Sequence, residues 1–438
     1  MSSKNMAIKS LRSILQSLES GSRPKGGVSG IRNGIPSIGA EHLTADGGFC
    51  FDRIKYIPKE YASRLKRGRI QPGDVLIVKD GATTGKVSYV DQQYPFAESY
   101  VNEHVFICRP SQEVCGKYLF YFLRSNSGNS QIMVTFHGAA QGGISSAFVD
   151  EVYVPMLTLQ DQLGIVNHLD CTLQQVRLTK SRLERIPTIL KKFRQSVLSA
   201  ACSGKLTEDW RAGQHLATHY DIVNSNTTLR DIESEIPKEW SVMAFTDVCQ
   251  IASNLVNPAD YQGHAHIAPD NIEKESGKLL SYNTIADDRV TSPKHLFHSG
   301  QIIYSKIRPY LSKAILVDFD GLCSADMYPL TSLINPDYLL HYILSPQFIK
   351  LASTAGERSV LPKINQKELS IIPVPVPSVE EQAEIVNRVQ RLLKLVESLD
   401  SNYNNAMARI EKIEQSILAK AFRSEIISNG HYDQCGGT

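Results

Sequence analysis

The chain repeats itself, and that constrains its fold more than any other feature. Residues 155–206 laid over residues 375–426, at a constant offset of 220 and without a gap, give thirteen identities in fifty-two positions. They include Pro155/Pro375, Gln162/Gln382, Ile165/Ile385, Val166/Val386, Asn167/Asn387, Ser196/Ser416, Leu198/Leu418 and Ala201/Ala421. Chance gives about three, so the duplication fixes the architecture before any motif is read. Upstream of each copy lies a longer segment rich in turn and strand signals. These two segments resemble each other far less, but share one block: Gly73–Asp91 aligns with Gly300–Asp318, matching Lys79 to Lys306 and Lys86 to Lys313.

The repeated segments read as long helices. Apolar residues in the first fall at Val166, Leu169, Leu173, Val176, Leu183, Ile186, Leu190, Phe193, Val197 and Ala201. The second places Val386, Val389, Leu393, Val396, Tyr403, Ala406, Ile410, Ile413, Ile417 and Ala421 in the same way. Steps of three and four make a narrow stripe, which fits another helix better than a broad sheet. Thr158 and Ser378 are the expected N-caps, Gly204 is a stop signal, and Pro187 should kink or divide the first helix. The two helices are expected to pair antiparallel.

The variable segments carry short β-rich runs, such as Val75–Val78, Val87–Val90, His104–Cys108, Ile302–Tyr304 and Ala314–Val317, between Gly, Pro, Asn and Asp turns. Helical patches are expected at Gly116–Arg124 and Asp337–Leu344, and a short opening helix over Ala7–Glu19. The expected fold class is α+β: two mixed α/β domains separated by two long helices packed as an antiparallel coiled coil, a pseudo-two-fold internal repeat.

Composition excludes several classes. With 42% apolar and 21% charged residues, the chain is neither disordered nor fibrous. No run approaches the roughly 18 apolar residues of a membrane-spanning helix, and the start lacks the apolar centre of a signal peptide. No membrane partner is expected, and the expected location is cytoplasmic. The eight cysteines, at 50, 108, 115, 171, 202, 249, 323 and 435, are scattered, which points to reduced thiols and no metal. Net charge is only +2, yet residues 1–70 carry thirteen Lys/Arg against five acids, the local surplus a phosphate backbone needs.

No catalytic motif survives inspection. Gly81–Lys86 (GATTGK) resembles the end of a nucleotide-binding loop, but three residues rather than four intervene, and Val87 stands where a magnesium-binding hydroxyl is required. Asn335-Pro336-Asp337-Tyr338 lacks the second proline of an amino-methyltransferase tetrapeptide and reads as a turn with an N-cap. The pairs His215/His219, His264/His266 and His295/His298 lack an accompanying cysteine or carboxylate set. The chain reads as a binding protein.

Several blocks then carry a resemblance. They are Gly73-Asp-Val-Leu-Ile77 running into Lys79-Asp-Gly-Ala-Thr-Thr-Gly-Lys86, Gln141-Gly-Gly-Ile-Ser145, residues 154–162 (VPMLTLQDQ) and Arg182-Leu-Glu-Arg-Ile-Pro187 leading to residues 195–206 (QSVLSAACSGKL). With Val360–Asn365, Pro377–Gln382 and Ile417–Phe422 in the second copy, they resemble the specificity subunit of type I DNA restriction-modification systems. The resemblance covers nearly the whole chain, repeat included. It departs at the start, which lacks the Pro-Lys-x-Trp lead-in of Pro237–Trp240.

The resemblance implies a first target recognition domain over 1–155, a central helical spacer over 156–206 and a linker over 207–237. A second target recognition domain over 238–375, a distal helical spacer over 376–427 and a flexible tail over 428–438 follow. Each recognition domain would read one half of a split, asymmetric double-stranded DNA target, with the helices setting the distance between halves. The chain would have no catalysis and no cofactor of its own. It would place two methylation subunits and restriction subunits, which bring S-adenosylmethionine, ATP and magnesium. A non-catalytic scaffold whose variable domains bind other proteins is the alternative.

DNA contacts are expected from basic and amide side chains of the turn-rich blocks: Lys79, Lys86, His137 and Gln141 in the first half, and Lys306, Arg308, Tyr310, Lys313, Arg358 and Lys363 in the second. Arg308 or Arg358 would fork onto guanine and Gln141 onto adenine, with the lysines on phosphates. Gly81/Gly85 and Gly142/Gly143 would shape turns or admit DNA closely. Partner contacts are expected on the outer helix faces at Arg177, Lys180, Arg182, Arg388 and Arg391.

Overall fold

The computed structural model describes residues 7–138, 142–213, 236–355 and 362–423. It divides into two compact units, Met1–Glu184 with Asn404–Thr438, and Arg185–Tyr403. Each holds one variable segment together with part of both helical repeats. Among the described residues no helix is long and apolar enough to cross a membrane.

The first unit carries strands β1 (Ala7–Ser10), β2 (Leu15–Ser20), β3 (Ile35–Ile38), β4 (Lys55–Ile57), β5 (Val75–Val78), β6 (Val87–Tyr89), β7 (Tyr100–Val101), β8 (Val105–Pro110), β9 (Phe136–His137), β10 (Gly143–Ile144) and β11 (Tyr153–Met156). They form a four-stranded sheet in the order β2-β8-β5-β6, a three-stranded sheet β4-β3-β7, and the ribbons β1-β11 and β9-β10. The expected helix over Ala7–Glu19 is corrected: only Leu11–Ile14 turns helically, between β1 and β2. Antiparallel ladders to β11 and β8 claim the backbone on either side. Leu11 and Ile14 are buried while Ile8 is exposed, so tertiary pairing overrides the local helical period.

Both β5 and β8 are covered on two faces, which explains their unbroken apolar runs. Val75, Ile77, Phe106 and Cys108 pack on the helix Gly116–Arg124 through Tyr118, Leu119 and Phe122. Leu76, Val78, Val105 and Ile107 point the other way, onto Ile38 and Val101. That is the two-residue alternation of a strand.

The second unit carries β12 (Ser241–Ala244), β13 (Cys249–Ile251), β14 (Leu255–Val256), β15 (Ala265–Ile267), β16 (Asn283–Thr284), β17 (Lys294–Phe297), β18 (Ile302–Ser305), β19 (Ala314–Leu316), β20 (Gly321–Cys323), β21 (Met327–Ser332) and β22 (Pro373–Val376). Its sheets run β13-β21-β18-β19, β14-β17-β20-β15-β16 and β12-β22. The plan of the first unit recurs: β12-β22 answers β1-β11, the four-stranded sheets correspond, and the parallel pair β15/β20 answers β3/β7. The second distal sheet is larger by β14 and β17.

One buried amide joins each variable domain to its helix. Gln162, four residues beyond the N-cap Thr158, accepts from the Cys115 N–H (2.8 Å) and donates to the carbonyls of Leu157 (3.0 Å) and Glu113 (3.2 Å). Gln382 repeats this, accepting from the Asn335 N–H (2.9 Å) and donating to the Pro377 carbonyl (2.9 Å). Beside them the Tyr118 hydroxyl donates to Pro155 (2.7 Å) and the Tyr338 hydroxyl to Pro375 (2.6 Å).

The helices are capped as expected: Thr158 Oγ1 accepts from Asp161 N–H and Ser378 Oγ from Glu381 N–H, both at 3.2 Å. The first helix is divided into Leu159–Leu183 and Ile186–Cys202, with Pro187 in the first turn of the second piece. The distal one runs unbroken over the 44 residues Val379–Phe422. In the first unit Ile165, Val166, Leu169 and Leu173 share a core with Leu418 and Ala421. In the second, Val197, Leu198 and Ala201 share one with Ile385, Val386 and Val389. Start meets end in both, so the pairing is antiparallel.

Two stripe positions are corrected: Phe193 and its repeat equivalent Ile413 are 39% and 48% exposed, while Leu198 and Leu418 are buried in their place. The expectation of reduced thiols throughout is also corrected, since Cys171 is disulfide-bonded; Cys50, Cys108, Cys115, Cys202, Cys249 and Cys323 are free. Residues 205–212 form a 3-10 turn and a short helix, held by Thr207 Oγ1 on Glu381 (2.6 Å), by an Arg211–Glu381 ion pair and by Trp240 Nε1 on Glu381 (2.9 Å). Residues 214–235 and 424–438 lie outside the described residues, with much of the linker and the whole tail.

The two frames hold different chemistry at equivalent points. Arg109 on β8 grips the buried Asp74 through Nε (2.8 Å) and Nη2 (2.9 Å). At the same place the second unit has a neutral bond, Gln301 Nε2 to Thr331 Oγ1 (2.8 Å). Arg109→Leu, leaving a buried carboxylate unpaired, should therefore destabilise by about 3–5 kcal/mol. Gln301→Leu should cost only about 1–3 kcal/mol. Urea unfolding of the two variants checks the difference.

Tyr121, whose hydroxyl donates to Asp170 (2.5 Å), is answered by His341, buried with neither ring nitrogen bonded among the described residues. Burial lowers the His341 pKa from 6.5 to about 4. The unfolded chain then binds a proton that the folded chain refuses, so stability is full above about pH 6.5 and is lost as pH falls toward 4, by up to about 3 kcal/mol. Thermal melts between pH 7 and 4.5 should show this slope, and His341→Leu should flatten it.

Candidate nucleic-acid interface

In both units the turn between the two central strands is built on one pattern. In the first unit β5 ends at Val78; Lys79 N–H donates to the His104 carbonyl (2.8 Å), and the Lys79 carbonyl accepts from Ile144 N–H (2.8 Å). Gly81 N–H donates to the Gly142 carbonyl (3.2 Å). In the second unit Lys306 N–H meets the Asp326 carbonyl (3.0 Å), Ile364 N–H meets the Lys306 carbonyl (3.0 Å), and Arg308 N–H meets the Pro362 carbonyl (2.7 Å). The bridges Asp80/Gly143 and Ile307/Lys363 correspond as well. Two dissimilar segments therefore hold one backbone frame, through the equivalences 79/306, 81/308, 104/326, 142/362 and 144/364.

The lysines divide into two kinds. Lys79 Nζ lies 5.6 Å from the Phe106 ring and Lys306 Nζ 4.9 Å from the Tyr328 ring, each ring being the second residue of β8 or β21. Both are half-buried, their stems on an aromatic face. Lys86 and Lys313 are tied inward: Lys86 Nζ donates to the Leu43 carbonyl (3.0 Å) and Lys313 Nζ to the Pro269 carbonyl (2.7 Å). Each fastens β6 or β19 to a neighbouring loop. Lys363 is exposed and pairs with Asp326 (3.1 Å).

His137 is exposed on β9, opposite Gly143. Arg308 and Tyr310 are exposed, and Arg308 has no side-chain hydrogen bond or ion pair among the described residues. Gln141 and Arg358 lie outside the described residues. Gly143 serves the protein itself, since a Cβ there would meet Asp80 Cβ at 2.8 Å and the Lys79 carbonyl at 2.9 Å.

Residues not picked out from the sequence join the first turn. His104 Nδ1 bonds Asp80 (2.5 Å), Arg23 bonds His104 Nε2 (2.8 Å), and Arg23 pairs with Glu103. No motif could have flagged them, because the pairing of distant strands brings them to Lys79. On the helices, Arg177 and Arg182 are exposed and Lys180 half-buried. Arg177 helps hold the Asp46 pKa down, behind the larger effects of burial, which raises it, and of the Thr44 bond and local backbone bonds, which lower it. Arg388 pairs with Asp209 (2.6 Å) and Glu384 (2.5 Å), so it fastens its own unit. Arg391 is exposed.

This arrangement can hold cationic and hydrogen-bonding groups on exposed turns over rigid strands, which suits a polyanion with readable edges. The comparisons agree. The model of the type I restriction modification DNA specificity domain matches residues 4–188 and 237–407, taking in both halves. The specificity subunit of the Escherichia coli type I restriction enzyme EcoDI is 41% identical over 84% of this chain and 81% of its own length. The EcoBI specificity subunit, also from Escherichia coli, is 28% identical over 91% of this chain and 84% of its own.

Among solved structures, a chain from work on complex assembly and conformational transition of the type I R-M system superposes with TM-score 0.66 at 15% identity, covering 97% of this chain and 99% of that one. The HsdS subunit from Thermoanaerobacter tengcongensis gives 0.55 at 16% identity over 96% and 97%. These two likenesses speak for the fold. Taken with the sequence relatives, the doubled frame is accounted for: the chain belongs to the specificity subunits of type I DNA restriction-modification systems.

Proposed function

We propose that the chain recognises a bipartite, asymmetric site on double-stranded DNA and positions two methylation subunits and restriction subunits upon it. The observation that carries this reading is one backbone frame bearing two unlike sets of exposed side chains. Lys79 and Lys306 recur at the same place; Arg308 and Tyr310 stand where the first unit has Gly81 and Thr83. A shared element suits what is common to every site, the phosphates, and an unshared one suits what differs, the bases. Two unlike readers on one duplicated frame give two unlike half-sites, and the paired helices set the interval between them. The chain contributes address without reactivity. S-adenosylmethionine, ATP and magnesium belong to the companions, and the outer-face residues Arg177, Lys180, Arg182 and Arg391 are available to them.

Coexpression with the methylation subunit, followed by mapping of methylated adenines, should return an interrupted, asymmetric motif; a continuous palindrome would sink the two-reader scheme, and no selected sequence would favour a protein-binding scaffold. Lys79→Ala and Lys306→Ala should each weaken the complex equally on all sequences and lower the salt dependence of binding by about one charge. Binding isotherms at several salt concentrations, on matched and scrambled duplexes, provide the measurement.

A further inference from the structure

The turn after the central strand demands a left-handed backbone at two points. In the first unit glycine meets both demands, with φ +90° at Gly81 and +82° at Gly85. In the second unit the equivalent residues are Arg308 at φ 49°, ψ 61° and Ser312 at φ 42°, ψ 59°. An L-residue is strained there, and arginine has no short side chain to hydrogen-bond locally in compensation, as Asn or Asp would. The strain is compounded because Pro309 follows, and a residue before proline is driven toward extended conformations.

Among the described residues the surroundings give no packing reason for the arginine. A Cβ built on Gly81 meets nothing within 4 Å among the described residues, so in the first unit the frame leaves open space at this position. Arg308 is exposed, and among the described residues its guanidinium has no partner, whereas Lys306, Lys313 and Lys363 around it each rest on a ring, a carbonyl or a carboxylate. Its backbone is nonetheless held firmly: the N–H on Pro362 (2.7 Å), the carbonyl on Leu311 N–H (2.9 Å), and Pro309 buried beneath. Tyr310, two residues on, is 49% exposed.

A strained, exposed, unpartnered arginine on a rigid turn, where the sister turn has glycine, is retained for what its side chain does outside the protein. We propose that Arg308 is a specificity-determining residue of the second unit, forking onto the O6/N7 edge of a guanine in that unit's half-site. This rests on the DNA-recognition reading above and deepens it. The planar fork matches guanine with two donors, which a lysine cannot do. Because Gly81 offers no such group, the first unit reads its half-site by other residues, and the half-sites differ in consequence.

The test uses the full chain in complex with its methylation subunit, with targets selected from a random duplex pool. The parent complex must first return a target; if it returns none, the DNA-recognition reading itself fails, separately from this inference. Arg308→Gly should then lose preference for guanine at one position of one half-site by about 5- to 150-fold. The other half-site should be unchanged and the Tm no lower than that of the parent, because glycine relieves the backbone. Arg308→Lys, which keeps the charge and loses the fork, should lose the same preference. An unaltered target would overturn the assignment. So would a uniform loss of affinity on every sequence, which marks a phosphate contact, or a Tm fall in Arg308→Gly, which marks a structural role.

Discussion

The architecture hangs on the amide of a glutamine buried where each variable domain meets its helix. Gln162 and Gln382 lie one turn inside their helices and spend their hydrogen-bonding capacity on backbone groups of the adjoining domain and of the chain leading into the helix. A buried amide has to be satisfied, and only one placement satisfies it, so the bond sets geometry more than it adds stability. Tyr118 and Tyr338 reinforce the joint by bonding Pro155 and Pro375, the prolines that open the two repeats. A variable domain held in this way cannot rotate on its helix without leaving several polar groups unpaired.

Once the frame is fixed, its chemistry is free to vary, and the two halves show how far. An Arg109–Asp74 ion pair in one unit is a Gln301–Thr331 bond in the other. Tyr121 with its carboxylate partner becomes the unpartnered His341. Both exchanges keep the backbone position while changing the polar group and its partner. The core faces of β5, β8, β18 and β21 carry almost wholly apolar residues on both sides of the sheet, with buried Ser305 at the end of β18 the exception. Divergence between the units includes strand ends, a helix position and the turns.

Much of this was legible in the sequence because it repeats at a constant offset. The helical periodicity, the caps at Thr158 and Ser378, the division at Pro187 and the alignment of Lys79 with Lys306 are all local or follow from that offset. What was hidden depends on long-range pairing. Ala7–Glu19 has a helical period, yet β11 and β8, a hundred or so residues away, recruit it into strands. The shift of the buried stripe from Phe193 and Ile413 to Leu198 and Leu418 follows from which helix face meets the domain cores, which a heptad count does not register. Lys86 and Lys313 look like Lys79 and Lys306 in sequence; only the positions of Leu43 and Pro269 show that they hold loops together.

The turn after β5 and β18 combines a constant frame with variable side chains. Its hydrogen bonds to the strand end near His104 or Asp326, and to the segment near Gly142 or Pro362, are the same in both units. They are also all backbone to backbone, so the frame is indifferent to the side chains it displays. A frame of that kind can carry glycine in one copy and a strained arginine in the other without changing shape. Side chains on the turn can then be exchanged without redesign of the scaffold, as Gly81 and Arg308 are. Duplication followed by divergence at such turns gives two unlike displays of side chains on one backbone frame.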